Sequence, residues 1–199
     1  MLLRSSGPSP FGRKVKMAAK RLGLLARMEV VTADTTNPDD PLMGDNPLGK
    51  IPLLVLDDGR RVYDSRVILE CLDHMAGGGV ILPRDFDARL AALTQQALAD
   101  GVLDAALLVV YEGRFRPAEL AHKPWVDRQL GKISRGLAAF ERDLPDPAAF
   151  TVGTLTLACA LGYLDLRKPL DWRPAHPGLV AWLEAFRALH PEYDATAAA

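Results

Sequence analysis

The sequence predicts a small mixed α/β domain followed by an all-helical domain, and three observations predict it. Strand-like and helix-like stretches alternate through the first third of the chain, strands cease after Gly77-Gly78-Gly79, and every long apolar pattern beyond Leu82-Pro83 recurs at three and four residues. At 199 residues with 49% hydrophobic content the chain is long enough to bury a sizeable core, in one domain or two.

Met1 to Arg4 is a short apolar strand. Pro10 to Leu22 reads as a helix, because Ser9 stands at the cap and Pro10 at the first helical position, where its missing N–H costs nothing. Met28 to Thr32 is a second strand. Leu53 to Leu56 and Arg61 to Tyr63 flank Asp57-Asp58-Gly59, a hairpin signal. From Asp64-Ser65 the pattern Val67, Ile68, Cys71, Leu72 gives a helix to about Met75, which the glycines end. The order is β-α-β-(α)-β-β-α, a small mixed sheet with a helix on each face.

In the helical part, Phe86, Leu90, Leu93 and Ala97 form one stripe, and Val126, Leu130, Ile133, Leu137 and Phe140 another. Between Val152 and Leu164 almost every position is apolar or small, so that helix has no water-facing side and is predicted to lie at the centre. His176 to Leu189 closes the chain, with Pro177 at a helix start and Trp182, Phe186 and Leu189 on one face. The expected domains are residues 1–77 and 84–199.

A net charge of -1 without a run of like charges argues against an electrostatic grip on nucleic acid or anionic lipid. Cys71 and Cys159 stand far apart inside apolar helical patterns, neither a disulfide framework nor a metal knuckle, which fits a reducing compartment and no metal site. The N-terminus lacks a long apolar core and no later segment runs uncharged for a bilayer span, so a cytoplasmic protein without a membrane partner is expected.

The most informative stretch is Asn46-Pro47-Leu48-Gly49-Lys50-Ile51-Pro52-Leu53-Leu54-Val55-Leu56, followed after a turn by Tyr63-Asp64-Ser65. A Pro opening an apolar run cannot donate to a sheet ladder, so Ile51-Pro52 lies at a strand entrance, with a trans or a cis bond, and leaves the Ile51 backbone open to a ligand. Asp64-Ser65 directly before a helical pattern brings a carboxylate, a hydroxyl and free helix amides to one point. Either half alone is equally a tight turn or a plain cap. Together they suit a short peptide that carries its own carboxylate.

Residues 46 to 65 resemble the glutathione-binding segment of the glutathione transferases, and Ser9-Pro10-Phe11 and Ala158 to Leu164 resemble a bacterial subgroup of that family. The resemblance implies a thioredoxin-like α/β N-terminal domain followed by an all-α C-terminal domain. It implies that Lys50, Ile51, Pro52, Asp64 and Ser65 bind glutathione, with the Ile51 backbone pairing with its cysteinyl part and Asp64 and Ser65 holding its γ-glutamyl end. Glutathione is then a co-substrate, no covalent cofactor is expected, and the other partner is a small hydrophobic electrophile or a peroxide.

Thioredoxin-like oxidoreductases carry Cys-x-x-Cys where the first strand meets the first helix, because the helix N-terminus lowers a thiol pKa. Here that stretch is Ser9-Pro10-Phe11-Gly12, so any sulfur must arrive with the substrate. Ser9 is either a structural cap or a hydroxyl that donates to an incoming thiolate beside free helix amides. The family's use of Tyr, Ser or Cys at this place implies the catalytic role for Ser9, with Ser5 and Ser6 as rivals.

On the stripe Leu93, Ala97, Asp100, Asp104, Leu108, two carboxylates occupy a face that otherwise packs. They meet a cation, a helix terminus or a partner subunit, or the face emerges into solvent. The resemblance implies a homodimer in which Asp100 reaches glutathione bound to the other subunit. Thr151-Val152-Gly153-Thr154 departs from the family's usual pattern, with Thr154 where most members have Asp, which predicts a weaker cap. Tyr111, Arg114 and Phe115 lie where the family's second-substrate pocket tends to be. The alternative function is a transferase-like binding module that acts through a protein partner.

Overall fold

The computed structural model describes residues 1–197. They form two compact units, one of Met1–Arg89 joined by the segment from Pro191, the other of Leu90–His190. The first unit contains β1 (Leu2–Ser5), α1 (Pro10–Arg21), β2 (Glu29–Thr32), α2 (Leu42–Asp45), β3 (Leu53–Val55), β4 (Arg61–Val62) and α3 (Ser65–Met75). Then follow α4 (Phe86–Phe115), α5 (Lys123–Arg142), α6 (Val152–Arg167) and α7 (Pro177–Leu189). This is the predicted small mixed sheet followed by helices.

The sheet has strand order β2-β1-β3-β4. β1 pairs with β2 in parallel and with β3 antiparallel, and β3 pairs antiparallel with β4. Alternation along the strands divides the apolar side chains between two faces. Leu3 and Leu54 pack with Val15 and Ala19 of α1 and Ile68 and Leu72 of α3. Leu53 and Val55 point the other way, into a smaller cluster with Leu42 of α2. The β3–β4 turn closes where the Gly59 N–H donates to the Leu56 carbonyl at 3.0 Å. Gly59 sits there at φ 83°, a conformation that side-chain-bearing residues rarely adopt.

Two local devices finish the elements. At the end of α3 the buried Asp73 carboxylate accepts the N–H groups of Gly79, Val80 and Ile81 at 2.8, 2.9 and 2.7 Å, which pins the glycine run against the helix it terminates. At the start of α6, Thr154 completes a reciprocal capping box with Thr151, and its Oγ1 also donates to the Ala149 carbonyl at 2.6 Å. The predicted weakening is therefore confined to the missing charge; the hydrogen bonds of the cap are all made.

α6 is buried along almost its whole length, the predicted centre of the helical unit. On α7, Trp182 and Phe186 face inward as expected, whereas Leu189 is exposed. α4 departs more from expectation. Its inner face is Ala92, Gln96, Ala99, Asp100, Val102, Leu103, Ala105 and Ala106, while Phe86, Leu90 and Leu93 of the predicted packing stripe are 73%, 52% and 38% exposed. Small residues on one side let α4 approach its neighbours closely. At Gly153 of α6 an added Cβ would come within 2.9 Å of the Ala92 carbonyl oxygen. α4 is also long and apolar enough to cross a membrane by length and composition, a property shared by core helices of this kind.

Candidate functional site

Ile51, Pro52, Asp64 and Ser65, which the sequence singles out, lie at one end of the sheet. The β3–β4 ladder runs out at the pair Leu54↔Val62, and because the strands are antiparallel the residues just before β3, Ile51 and Pro52, and those just after β4, Asp64 and Ser65, leave the sheet at the same end. The pair Arg4↔Leu53, carried one residue further, sets Ser5 beside Pro52. Strand pairing thus brings the start of the α1 loop, the entrance to β3 and the start of α3 together.

The Ile51–Pro52 peptide bond is cis, and so is Tyr63–Asp64, which nothing in the sequence signals. Among the described residues the Ile51 N–H and carbonyl take no hydrogen bond, because ladder pairing of β3 starts only at Leu53. The loop before it is ordered by Asn46, the residue that opens it. Asn46 is buried, its Oδ1 accepts from the Leu48 N–H at 3.1 Å, and its Nδ2 donates to the Lys50 carbonyl at 2.7 Å. The signal was present in Asn46-Pro47-Leu48-Gly49, where Asn opens the turn and Gly49 closes it at φ 57°. The Lys50 side chain is exposed, with no described carboxylate within salt-bridge distance.

An unheralded contact anchors this loop to the sheet. Asp45 accepts from Arg4 Nε of β1 and Arg61 Nε of β4, each at 2.9 Å. Burial raises the Asp45 pKa, but the two guanidiniums outweigh it and hold the carboxyl below its ordinary value.

Asp64 is the N-cap of α3 and accepts from the Arg66 N–H at 3.0 Å; it is exposed, while Ser65 in the first turn is buried. At α1 the Gly12 N–H donates to Ser9 Oγ at 3.1 Å. A hydroxyl that accepts there keeps its own proton to donate, so cap and anion donor are compatible roles. The first turn of α1 carries no acidic residue, which leaves the positive end of its dipole uncompensated. Lys14, one turn on, is fully buried, with Nζ 5.8 Å from the centroid of the Phe11 ring.

The rival hydroxyls differ in access. Ser5 is buried and its Oγ, without a hydrogen-bond partner, lies under Gly12, where any added Cβ would overlap it. Ser6 is half-buried and its carbonyl accepts from the Ser9 N–H at 3.2 Å. Neither protein thiol competes for the role: burial pushes Cys71 up, and Cys159 lies in the core of α6. Asp100 has no accessible surface, so it presents no carboxylate outside the protomer; Gly101 and Asp104 are the open residues beside it.

The chain has known relatives at both levels of comparison. Residues 8–75 match the family description "Glutathione S-transferase, N-terminal domain" and residues 123–185 match "Glutathione S-transferase, C-terminal domain". An uncharacterised GST-like protein, YibF of Escherichia coli K12, is 35% identical over 189 residues, 92% of each chain. A glutathione transferase family member from Pseudomonas fluorescens Pf-5, solved with bound glutathione, is 42% identical with a TM-score of 0.93 over 100% of this chain and 98% of that one. A second structure described as a family member from Pseudomonas fluorescens Pf-5 holds S-(propanoic acid)-glutathione, with 42% identity and a TM-score of 0.87 over 98% of both chains.

Proposed function

The chain belongs to the glutathione S-transferase family, and from that premise we propose that it binds glutathione at this end of the sheet and activates its thiol for attack on a second substrate. What supports the reading is one end of the sheet, where the unpaired Ile51 backbone precedes β3, the Asp64-Ser65 start of α3 follows β4, and β1 leads out toward the Ser9-capped, acid-free start of α1. The glutathione held by the Pseudomonas relative supports it.

In this reading the cysteinyl part of glutathione pairs with the Ile51 N–H and carbonyl, as an added strand pairs with a sheet edge. Its γ-glutamyl amine meets Asp64, its γ-glutamyl carboxylate meets Ser65 and the free amides of α3, and the Lys50 ammonium balances a further carboxylate. The sulfur then lies at the start of α1, where the Ser9 O–H donates to the thiolate and the helix dipole favours the charge. Lowering a thiol pKa by about two units takes about 2.7 kcal/mol of preference for the anion, within reach of one charge-assisted hydrogen bond and a helix terminus. The ionised sulfur attacks an electrophilic carbon or a peroxide oxygen.

The working form is a twofold dimer. The open α4 face of Phe86, Leu90 and Leu93 is an apolar surface that a second copy covers. Calorimetric titration with glutathione tests the reading at its base. Saturable one-to-one binding per chain supports it, and no heat at millimolar glutathione leaves only the binding-module alternative.

A further inference from the structure

The end of the chain grips the first turn of α1. The segment from Pro191 belongs to the first unit, where it packs against that helix. Arg13 Nη2 donates to the Tyr193 carbonyl at 2.8 Å, and the Arg13 guanidinium lies over the Tyr193 ring, 4.0 Å from its centroid. That is well inside the roughly 6 Å reach of a cation–π contact. Farther along α1, Arg21 Nη1 stands 3.5 Å from Glu192 Oε1. The segment is closed on itself: Thr196 Oγ1 donates to the Glu192 carbonyl at 2.8 Å, and the Ala195 N–H donates to the Pro191 carbonyl at 3.1 Å. Tyr193 and Thr196 are buried.

The turn that is gripped has few anchors of its own. Pro10 has no N–H and the Gly12 N–H is taken by Ser9 Oγ at 3.1 Å, so the Phe11 N–H and the Ser9 O–H are the donors it offers a ligand. Gly12 cannot hold the turn with a side chain, because the Ser5 hydroxyl fills the place where a Cβ would stand, and glycine leaves a helix free to fray. Arg13 closes the turn, its N–H donating to the Ser9 carbonyl at 2.9 Å, and the side chain of this same residue is the one that Tyr193 holds. Both partners in the clamp are neutral, and the buried Arg13 Nε has no partner among the described residues. A carbonyl and a ring face suit a planar guanidinium and not an ammonium. Apolar packing alone would tie the chain end to α1 without reaching into its first turn.

We propose that Arg13 and Tyr193 are positioning residues for thiol activation: the clamp holds the first turn of α1 closed and so keeps the Ser9 hydroxyl and the Phe11 amide aimed at the sulfur of bound glutathione. The inference rests on the transferase reading and adds to it two residues that act through Ser9 and Phe11. Donors fixed beforehand stabilise an anion without reorganising, whereas a frayed turn gives its amides to water and loses the end of its dipole. Releasing the clamp therefore acts on the charge of the sulfur more than on the grip on the tripeptide, which that reading assigns to Lys50, Ile51, Asp64 and Ser65.

The test follows thiolate absorbance of bound glutathione against pH in the whole chain and three variants. Tyr193→Ala removes the ring, and Arg13→Lys keeps the charge but not the planar fork. Each is expected to raise the bound thiol pKa by about one unit, about a tenfold loss of thiolate at a pH below it, with glutathione affinity changed less than about twofold. Tyr193→Phe keeps ring and carbonyl and is expected to titrate as the wild type. In the ligand-free protein, amide exchange at Gly12 and Arg13 quickens by about tenfold in Tyr193→Ala and Arg13→Lys. A pKa or an exchange rate unmoved in either variant, or a Tyr193→Phe that behaves as Tyr193→Ala, overturns the proposal, and a fall in Tm alone marks a packing contact. Should Tyr193→Ala not fold by circular dichroism, Arg13→Lys decides. A depressed thiol pKa that both variants keep sinks the positioning role alone, whereas a wild type that binds no glutathione sinks the transferase reading and this role with it.

Discussion

Asp64 carries two roles on one carboxylate: cap of α3 through the Arg66 N–H, and proposed partner of a ligand ammonium. Because it is exposed, its charge is partly screened, and the loss on removal belongs at the low end for an ionic contact. Asp64→Asn keeps the cap, since Asn and Asp are equivalent there, but removes the charge. It is expected to weaken glutathione affinity by about 1 to 2 kcal/mol without lowering Tm, as read by calorimetry and thermal denaturation. Affinity equal to wild type would take Asp64 out of the site. The residue types at these positions were legible because each is tied to a backbone role: Ser9 to a cap, Pro52 to a strand entrance, Asp64 to a helix start. What separates Ser5 from Ser9 was not legible. Access depends on β1 running to Ser5, which turns that hydroxyl inward under Gly12 and leaves Ser9 at the helix start.

At the scale of elements, the loop that carries Ile51 is fixed by Asn46 within and by Asp45 to the sheet. Asp45 joins residues far apart in sequence, Arg4 and Arg61, so only the sheet's register reveals the contact. Asp45→Asn is expected to lower Tm by about 4 to 8 °C near neutral pH. A carboxyl held below its unfolded value contributes stability above about pH 3.9, and that contribution fades as pH falls through the folded value. The Tm difference between wild type and variant should therefore close in acid; a constant difference down to the acid limit would show that Asp45 acts by packing. On α4 the sequence periodicity identified a real apolar face but not its environment. Hydropathy marks large residues, whereas the inner face is built from Ala92, Ala99, Ala105 and Ala106, whose small size permits close helix packing.

For the whole molecule, the open α4 face and the buried Asp100 lead to one expectation: association rests on apolar contact at this face. At Gly101 an added Cβ would meet nothing within 4 Å in the protomer. Sedimentation equilibrium should give a dimer for the wild type at micromolar concentration and a monomer for Leu90→Asp/Leu93→Asp, with the fold retained because both positions are exposed. A monomeric wild type would reject the dimer. The sheet-then-helices order was legible from periodicity and from the glycine stop. The return of the chain end was not: Arg13 Nη2 donates to the Tyr193 carbonyl at 2.8 Å, a contact that no local pattern announces. The central claim, that the start of α1 ionises a thiol brought by glutathione, is tested most directly by ultraviolet thiolate absorbance of the bound tripeptide against pH, in wild type and Ser9→Ala. The account predicts a bound thiol well below the free value of about 8.5 in the wild type and a return toward it in the variant, with glutathione affinity nearly kept. Coincident titration curves for the two proteins would contradict it.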